Sequence, residues 1–375
     1  MRITIIGWYG TETIGDRAIL AGIISVFSKM FGSIEINIGS IFPFFTERTV
    51  KEDASFWTKI NNNEINIKIF DSKKHKILNE FIKKSEILVM GGGPLMHINE
   101  MFMIDYAFKK AKNLSTKTIV LGSGIGPIFN KKYHNCLLSI LKNSDIVYLR
   151  DNTSIHTLKN IVGANSIIDK KNIFISHDPA TIPCLYYNEN YIKKEENNIA
   201  INLRDFSSPY SKNKINITET LINFLDNFSK YDNSEIKLIP MSYFSAGGDD
   251  REYFYQLLTK LKNRQRYSVQ DVPLNIEETL STFSRARLNI GMRYHSIVFQ
   301  TLVSGNNYIL DYTEPNIGKI SGFLKDIDKA KFYTDRYINL QESKLVNFKF
   351  STDKFKINLK LKDVIENSYS EIKKL

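Results

Sequence analysis

Cysteine is almost missing: Cys136 and Cys184 are the only two in a chain of 375 residues. They lie 48 positions apart with no second ligand beside either, which excludes a disulfide scaffold and a Cys-based zinc site and leaves two buried thiols. No stretch approaches the ~18 apolar residues of a spanning helix. The N-terminus enters a strand at once (Arg2 to Gly7), leaving no room for a secretory leader, so the expected location is the cytoplasm. Also lacking is a dense basic block with interleaved aromatics, although Lys and Arg (51) outnumber Asp and Glu (40) for a net charge of +11. A spread excess of this kind suits a phosphorylated small substrate or an anionic lipid surface better than nucleic acid. His75, His97, His134, His156 and His177 have no partners at metal-ligand spacing, no local Ser/His/Asp signature is present, and no fixed-period repeat occurs.

What is present is an ordinary globular composition, 42% hydrophobic and 12% aromatic, at a length that fits two domains of about 150 residues or more. Short apolar runs alternate with amphipathic stretches. Strands are expected at Ile3–Ile6, Glu35–Ile38, Ile67–Phe70, Ile87–Met90, Thr118–Leu121, Ile146–Leu149 and Ile173–Ile175, then at Ile199–Leu203, Ile236–Ile239, Leu288–Ile290 and Tyr308–Leu310. Fully apolar strands between helices imply parallel sheets covered on both faces. The fold class is therefore α/β, with two tandem Rossmann-like domains facing a cleft: residues 1–187, a polar linker at 188–196, residues 197–355, and a C-terminal helix or tail at 356–375. Ligands of such sheets sit beyond the carboxyl ends of the strands, which makes the strand-end motifs the candidates.

The most informative of these is Gly291-Met292-Arg293-Tyr294-His295, which closes one strand and opens a helix expected from Ser296. It sets a fixed cation and a titratable imidazole over a helix N-terminus, where anions bind. The first strand runs into a segment with glycines at 7, 10 and 15, ending in Asp16, an expected helix cap. It lacks both the dinucleotide spacing and the Gly-Lys-Ser phosphate loop. Gly91-Gly92-Gly93 offers either a backbone nest for an anionic or sugar oxygen or simply a tight turn. Gly122 to Pro127, including Gly124, repeats the pattern. Arg150 either grips a ligand or pairs with an aspartate of its own domain, Asp151 caps the next helix, and Asp178-Pro179-Ala180 reads as structural. Arg204 is a further rim arginine. Asp249 and Asp250 precede a helix and are explained by capping, and no metal is expected.

In this order, these motifs resemble the polysaccharide pyruvyl transferase family over about residues 1 to 325, with Tyr312 and Lys319 following the pentapeptide. The resemblance implies a glycosyltransferase-B-like pair of domains that moves the enolpyruvyl group of phosphoenolpyruvate onto two hydroxyls of a sugar, leaving a pyruvate ketal and phosphate, without a cofactor. It implies His295 as general acid and Arg293 and Arg150 on the donor's carboxylate and phosphate. Tyr294, Arg204 and Lys319 complete the donor set, and Asp16, Gly91, Gly92, Gly93 and Gly124 line the substrate side. Partners would be phosphoenolpyruvate and a sugar or lipid-linked glycan, a setting compatible with peripheral attachment to the cytoplasmic face of the membrane. Two departures stand out: Thr13 where the family often has Asn, and a longer interval between Tyr312 and Lys319. A nucleotide-sugar glycosyltransferase with Glu314 on the ribose, and a non-catalytic glycan-binding homologue, are the rival readings.

Overall fold

A computed structural model describes residues 1–161, 173–206, 217–343, 346–357 and 359–375. Two all-parallel sheets are present. The first contains β1 (Arg2–Ile6), β2 (Glu35–Ser40), β3 (Asn66–Asp71), β4 (Ile87–Met90), β5 (Lys117–Ser123), β6 (Ile146–Leu149) and β7 (Ile173–Ile175), in the order β3-β2-β1-β4-β5-β6-β7. The second contains β8 (Glu196–Asn202), β9 (Glu235–Leu238), β10 (Tyr267–Val269), β11 (Ala286–Gly291), β12 (Asn307–Asp311) and β13 (Tyr337–Asn339), in the order β10-β9-β8-β11-β12-β13. Strand order reverses between β1 and β4 in one sheet and between β8 and β11 in the other, the switch points beside which ligands of doubly wound sheets bind.

Sequence pattern explains which strands are central. All four residues of β4, Ile87 to Met90, are buried, as a strand covered by helices on both faces must be. Each fully buried Ile, Leu or Val contributes roughly 1.5–3 kcal/mol through its lost apolar surface. The edge strand β3 alternates exposed and half-buried positions from Asn66 to Ile69 before the buried Phe70, and carries Lys68 on its rim, a charge that blunts pairing with other chains. The three-residue edges β10 and β13 were not foreseen, because neither contains an apolar run long enough to stand out.

The chain divides into one compact unit of Met1–Glu12, Asp16–Pro183 and Leu359–Leu375, and a second of Thr13–Gly15 and Cys184–Asn358. The stretch read as a linker, 188–196, holds the end of helix Thr181–Asn190 and the first residue of β8. The C-terminal helix Leu359–Asn367 belongs to the first unit, where the Tyr369 hydroxyl donates to the His177 carbonyl and its ring meets Tyr148 edge-on at 5.1 Å. Both cysteines are buried thiols outside any disulfide, and burial pushes the Cys136 thiol up to about 12. Among the described residues no helix is long and apolar enough to cross a membrane.

Candidate functional site

In the second unit, Gly291 lies opposite Asn202 of β8 on one side and Ile309 of β12 on the other. This register brings the ends of β8 and β11 to one level, with β12 running two residues further, to Asp311. The Asn202 carboxamide spans two of the turns: its Nδ2 donates to the Ile239 carbonyl at 2.9 Å, and its Oδ1 accepts from the Arg293 backbone N–H at 3.0 Å. Arg293 occupies the N-cap position of a helix that starts at Tyr294, two residues earlier than the sequence suggested. The Ser296 hydroxyl instead donates to the Arg293 carbonyl at 2.7 Å, tightening the first turn.

The Arg293 guanidinium is held by Asp250. Nε donates to both carboxylate oxygens at 2.8 Å, and Nη2 to one of them at 2.6 Å. Asp250 also accepts from the backbone N–H groups of Met241 and Ser242 at 2.9 and 3.2 Å. Of the two consecutive acids, Asp249 is the helix cap, accepting from the Arg251 N–H. Capping therefore does not account for Asp250, whose role is to fix Arg293. Among the described residues, no group of three or more His, Cys, Asp or Glu side chains is placed to hold a metal ion.

His295 is half-buried, with its ring edge-on to Tyr294 at 5.0 Å. Its other wall is Gly15. Thr13–Gly15 belongs to this unit: Thr13 bridges antiparallel to Ser242, and the Ile14 N–H donates to the Met241 carbonyl at 3.0 Å. A Cβ on Gly15 would stand 1.9 Å from His295 Nδ1, so glycine is required there by the imidazole and not by the backbone. Thr13, the departure from the family pattern, is the residue that makes the bridge.

Beside this pair lies a cationic cluster. The Arg204 Nη1 donates to the Tyr312 hydroxyl at 3.0 Å, and its guanidinium stands 4.9 Å over the phenol ring. The Lys319 ammonium is 5.6 Å from the centre of that ring and 5.9 Å from that of Tyr294. The longer interval between Tyr312 and Lys319 is taken up by a compact turn. Gly318 N–H donates to the Glu314 carbonyl at 2.8 Å, and a Cβ on Gly318 would meet the Thr313 hydroxyl at 1.9 Å. Lys319 thus returns to the strand end as the first residue of helix Lys319–Ile327. Burial alone would raise the Tyr312 phenol, but Lys319 and Arg204, with Arg293 behind them, bring it down to about 7.

In the first unit, the strand ends are filled by the unit's own side chains. Gly91, Gly92 and Gly93 are buried. A Cβ on Gly91 would meet Ile23 at 2.1 Å, one on Gly92 the Tyr9 ring at 3.2 Å, and one on Gly93 the Trp8 ring at 2.6 Å. Gly92 and Gly93 also have φ of +101° and +77°, which only glycine adopts freely. Arg150, 4% exposed, donates from Nη1 to Asp178 at 3.1 Å, and its Nε lies 3.5 Å from Asp151. Its guanidinium covers Gly124, where a Cβ would come within 2.7 Å of Nη2. Asp151 caps the following helix by accepting from the Ser154 N–H at 2.6 Å. Pro179 fills the space beside Gly22 and Gly122. Asp16 lies in the first turn of helix Ile14–Phe31 rather than at its cap, 3.5 Å from the Thr11 hydroxyl.

The family model for polysaccharide pyruvyl transferase matches residues 14–299. The chain belongs to the polysaccharide pyruvyl transferase family. It is accordingly a transferase, and the matched span of this pyruvyl transferase contains Gly15, Arg150, Arg204, Asp250, Arg293 and His295, whereas Tyr312 and Lys319 lie beyond it. No curated protein matches the chain. Among solved structures, it is similar to the UDP-GlcNAc 2-epimerase of Methanocaldococcus jannaschii in complex with UDP-GlcNAc and UDP, at 14% identity and TM-score 0.52 over 92% of this chain and 90% of that one. It is also similar to a putative UDP-N-acetylglucosamine 2-epimerase from Listeria monocytogenes, at 12% identity and TM-score 0.55 over 87% and 83%. At such identities the likeness is one of fold: two parallel-sheet α/β domains in tandem.

The sequence reading named Arg293 and His295 but not what holds them. Asn202 and Asp250 had a readable signal, a polar residue ending an apolar strand and an acid beyond the one a cap needs. The contact between Gly15 and His295 had none, since 280 positions separate the two residues.

Proposed function

We propose that this pyruvyl transferase takes the enolpyruvyl group from phosphoenolpyruvate and places it on two hydroxyls of a sugar in a polysaccharide or its lipid-linked precursor, releasing phosphate. The observation that carries the reading is the cationic cluster of Arg204 and Lys319 around Tyr312, next to a half-buried imidazole. A small donor bearing a carboxylate and a phosphate needs fixed positive charge, and charge-assisted hydrogen bonds supply it. Lys319 and Arg204 are the donor's principal anchors, with Tyr294 forming part of the wall. Arg293, oriented by Asp250, supplies positive charge from behind, whereas Arg150, paired with Asp178 and Asp151, is left out of the donor set.

His295 acts as general acid. It gives its proton to the methylene carbon of the enol phosphate, which leaves an oxocarbenium-like centre at C2. A sugar hydroxyl attacks that centre and returns its proton to His295, and a second hydroxyl displaces phosphate, which carries off the other proton. Glu314, which a nucleotide-sugar enzyme would use on a ribose, is exposed, and a pure binding module needs no acid. The net charge of +11 suits a cytoplasmic protein that meets a lipid-linked acceptor at an anionic membrane surface.

Thermal stabilisation tests the donor, because a ligand of the native state raises the melting temperature. Phosphoenolpyruvate should raise it and UDP-sugars should not. Phosphate release on adding candidate glycans tests the transfer, and stabilisation by a nucleotide sugar alone would contradict the proposal.

A further inference from the structure

Tyr312 is an unusual partner for two cations. Its side chain is 7% exposed, its hydroxyl accepts from Arg204 at 3.0 Å, and Lys319 approaches its ring from the start of helix Lys319–Ile327. Among the described residues, other charged groups nearby are already engaged. Asp250 holds Arg293. Asp311, at the end of β12, accepts from the Thr313 N–H and the Tyr337 hydroxyl at 2.7 Å. Asp205 is exposed, and further walls among the described residues are the edge of Phe206, 5.3 Å from the phenol ring, and the Gln341 amide, which donates to the Tyr312 carbonyl. Two cations therefore converge on a phenol, and a phenol, unlike a carboxylate, changes its charge by taking one proton.

We propose that Tyr312 is the proton-exchanging positioning residue of this anion site: as phenolate it balances Arg204 and Lys319 while the site is empty, and it takes up a proton from solvent when an anionic donor shares those cations. The inference rests on the reading of this corner as the donor site. Once the anion has arrived, the second negative charge is no longer favoured. The neutral phenol then changes its hydrogen-bonding role, donating its O–H to the ligand instead of accepting from Arg204. Cations lower a neighbouring acid and a new anion raises it again. Because Lys319 and Arg204 outweigh burial and bring the phenol down to about 7, the exchange falls near neutral pH. An anion that binds the protonated form then binds about fivefold more weakly at pH 8 than at pH 7, as the competent fraction shrinks.

The test uses the whole protein, with phosphoenolpyruvate and inorganic phosphate as probes. Difference absorbance at tyrosinate wavelengths should show a phenol in the wild type that titrates near neutrality, is absent in Tyr312→Phe, and is quenched by either anion. Calorimetry in buffers of different ionisation enthalpy should show up to about one proton taken up by the wild type beyond that of Tyr312→Phe, whose anion affinity should lose this pH dependence. If phosphoenolpyruvate binds but the absorbance does not move, or the variant takes up as many protons, the inference is overturned while the donor reading stands. If phosphate quenches the phenolate and phosphoenolpyruvate does not bind, the inference stands and the donor reading fails. If neither anion binds, both fall.

Discussion

Arg150 and Arg204 both follow the end of a parallel strand, yet their surroundings differ. Arg150 is buried between two carboxylates, Asp178 and Asp151, and its guanidinium fills the space over Gly124. Arg204 is half-buried and donates to a phenol it shares with Lys319. In the first unit the glycines admit the unit's own Trp8, Tyr9 and Ile23, whereas Gly15 in the second admits a titratable imidazole. The same α/β architecture thus carries one rim whose charges and cavities are satisfied internally and one whose cations face a group able to give up its charge. The comparison teaches that an arginine at a strand end is not by itself a binding signal. Its partner decides whether the charge is committed.

The comparison can be broken most forcefully at His295. His295→Gln should lower turnover by about 10²–10⁴-fold, the usual contribution of a positioned acid, and leave stabilisation by phosphoenolpyruvate nearly unchanged. Full activity would remove His295 from the mechanism.

A matched pair of glycine substitutions separates the rims. Gly15→Ala places a methyl 1.9 Å from His295 Nδ1 and should lower kcat about 10²-fold by displacing the imidazole, whereas Gly124→Ala presses on Arg150 and should cost about 1–3 kcal/mol of stability. Activity assays alongside urea unfolding read both. Equal effects of the two substitutions on activity and stability would erase the distinction.

Asp178→Asn leaves Arg150 buried with half its carboxylate partnership. A loss of about 3–5 kcal/mol in unfolding free energy is expected, as for broken buried pairs. Stability within a few tenths of the wild type would mean that Arg150 is not committed to Asp178.

A further expected effect is on pH-dependent stability. The folded Tyr312 phenol is at about 7, below its usual ~10, so its contribution is fully present above the unfolded value and lost as pH falls through 7. The wild type should gain about 2–3 kcal/mol relative to Tyr312→Phe between about pH 7 and pH 9. Parallel curves would show that the phenol does not ionise in that window.

Much of this was legible in the sequence. The central strands stood out as apolar runs such as Ile87 to Met90, and the motif Gly291 to His295 marked the end of one strand and the start of the next helix. The edges β10 and β13 did not, because three residues carry too little pattern. Contacts set by topology were also invisible: Asp250 could be recognised as an acid but not as the clamp on Arg293, and the longer interval between Tyr312 and Lys319 gave no sign of the Thr313–Gly318 turn that takes it up. Arg150 shows the opposite limit, since its residue type allowed both a ligand and an internal pair, and only packing reveals the aspartates.

Donor affinity across the second rim is the most direct test. Phosphoenolpyruvate binding should be measured by calorimetry on the wild type, Arg204→Met and Lys319→Met. Each variant should retain its fold and bind at least about tenfold more weakly, as expected when one charge-assisted contact is removed. Wild-type affinity in both variants would place the donor elsewhere.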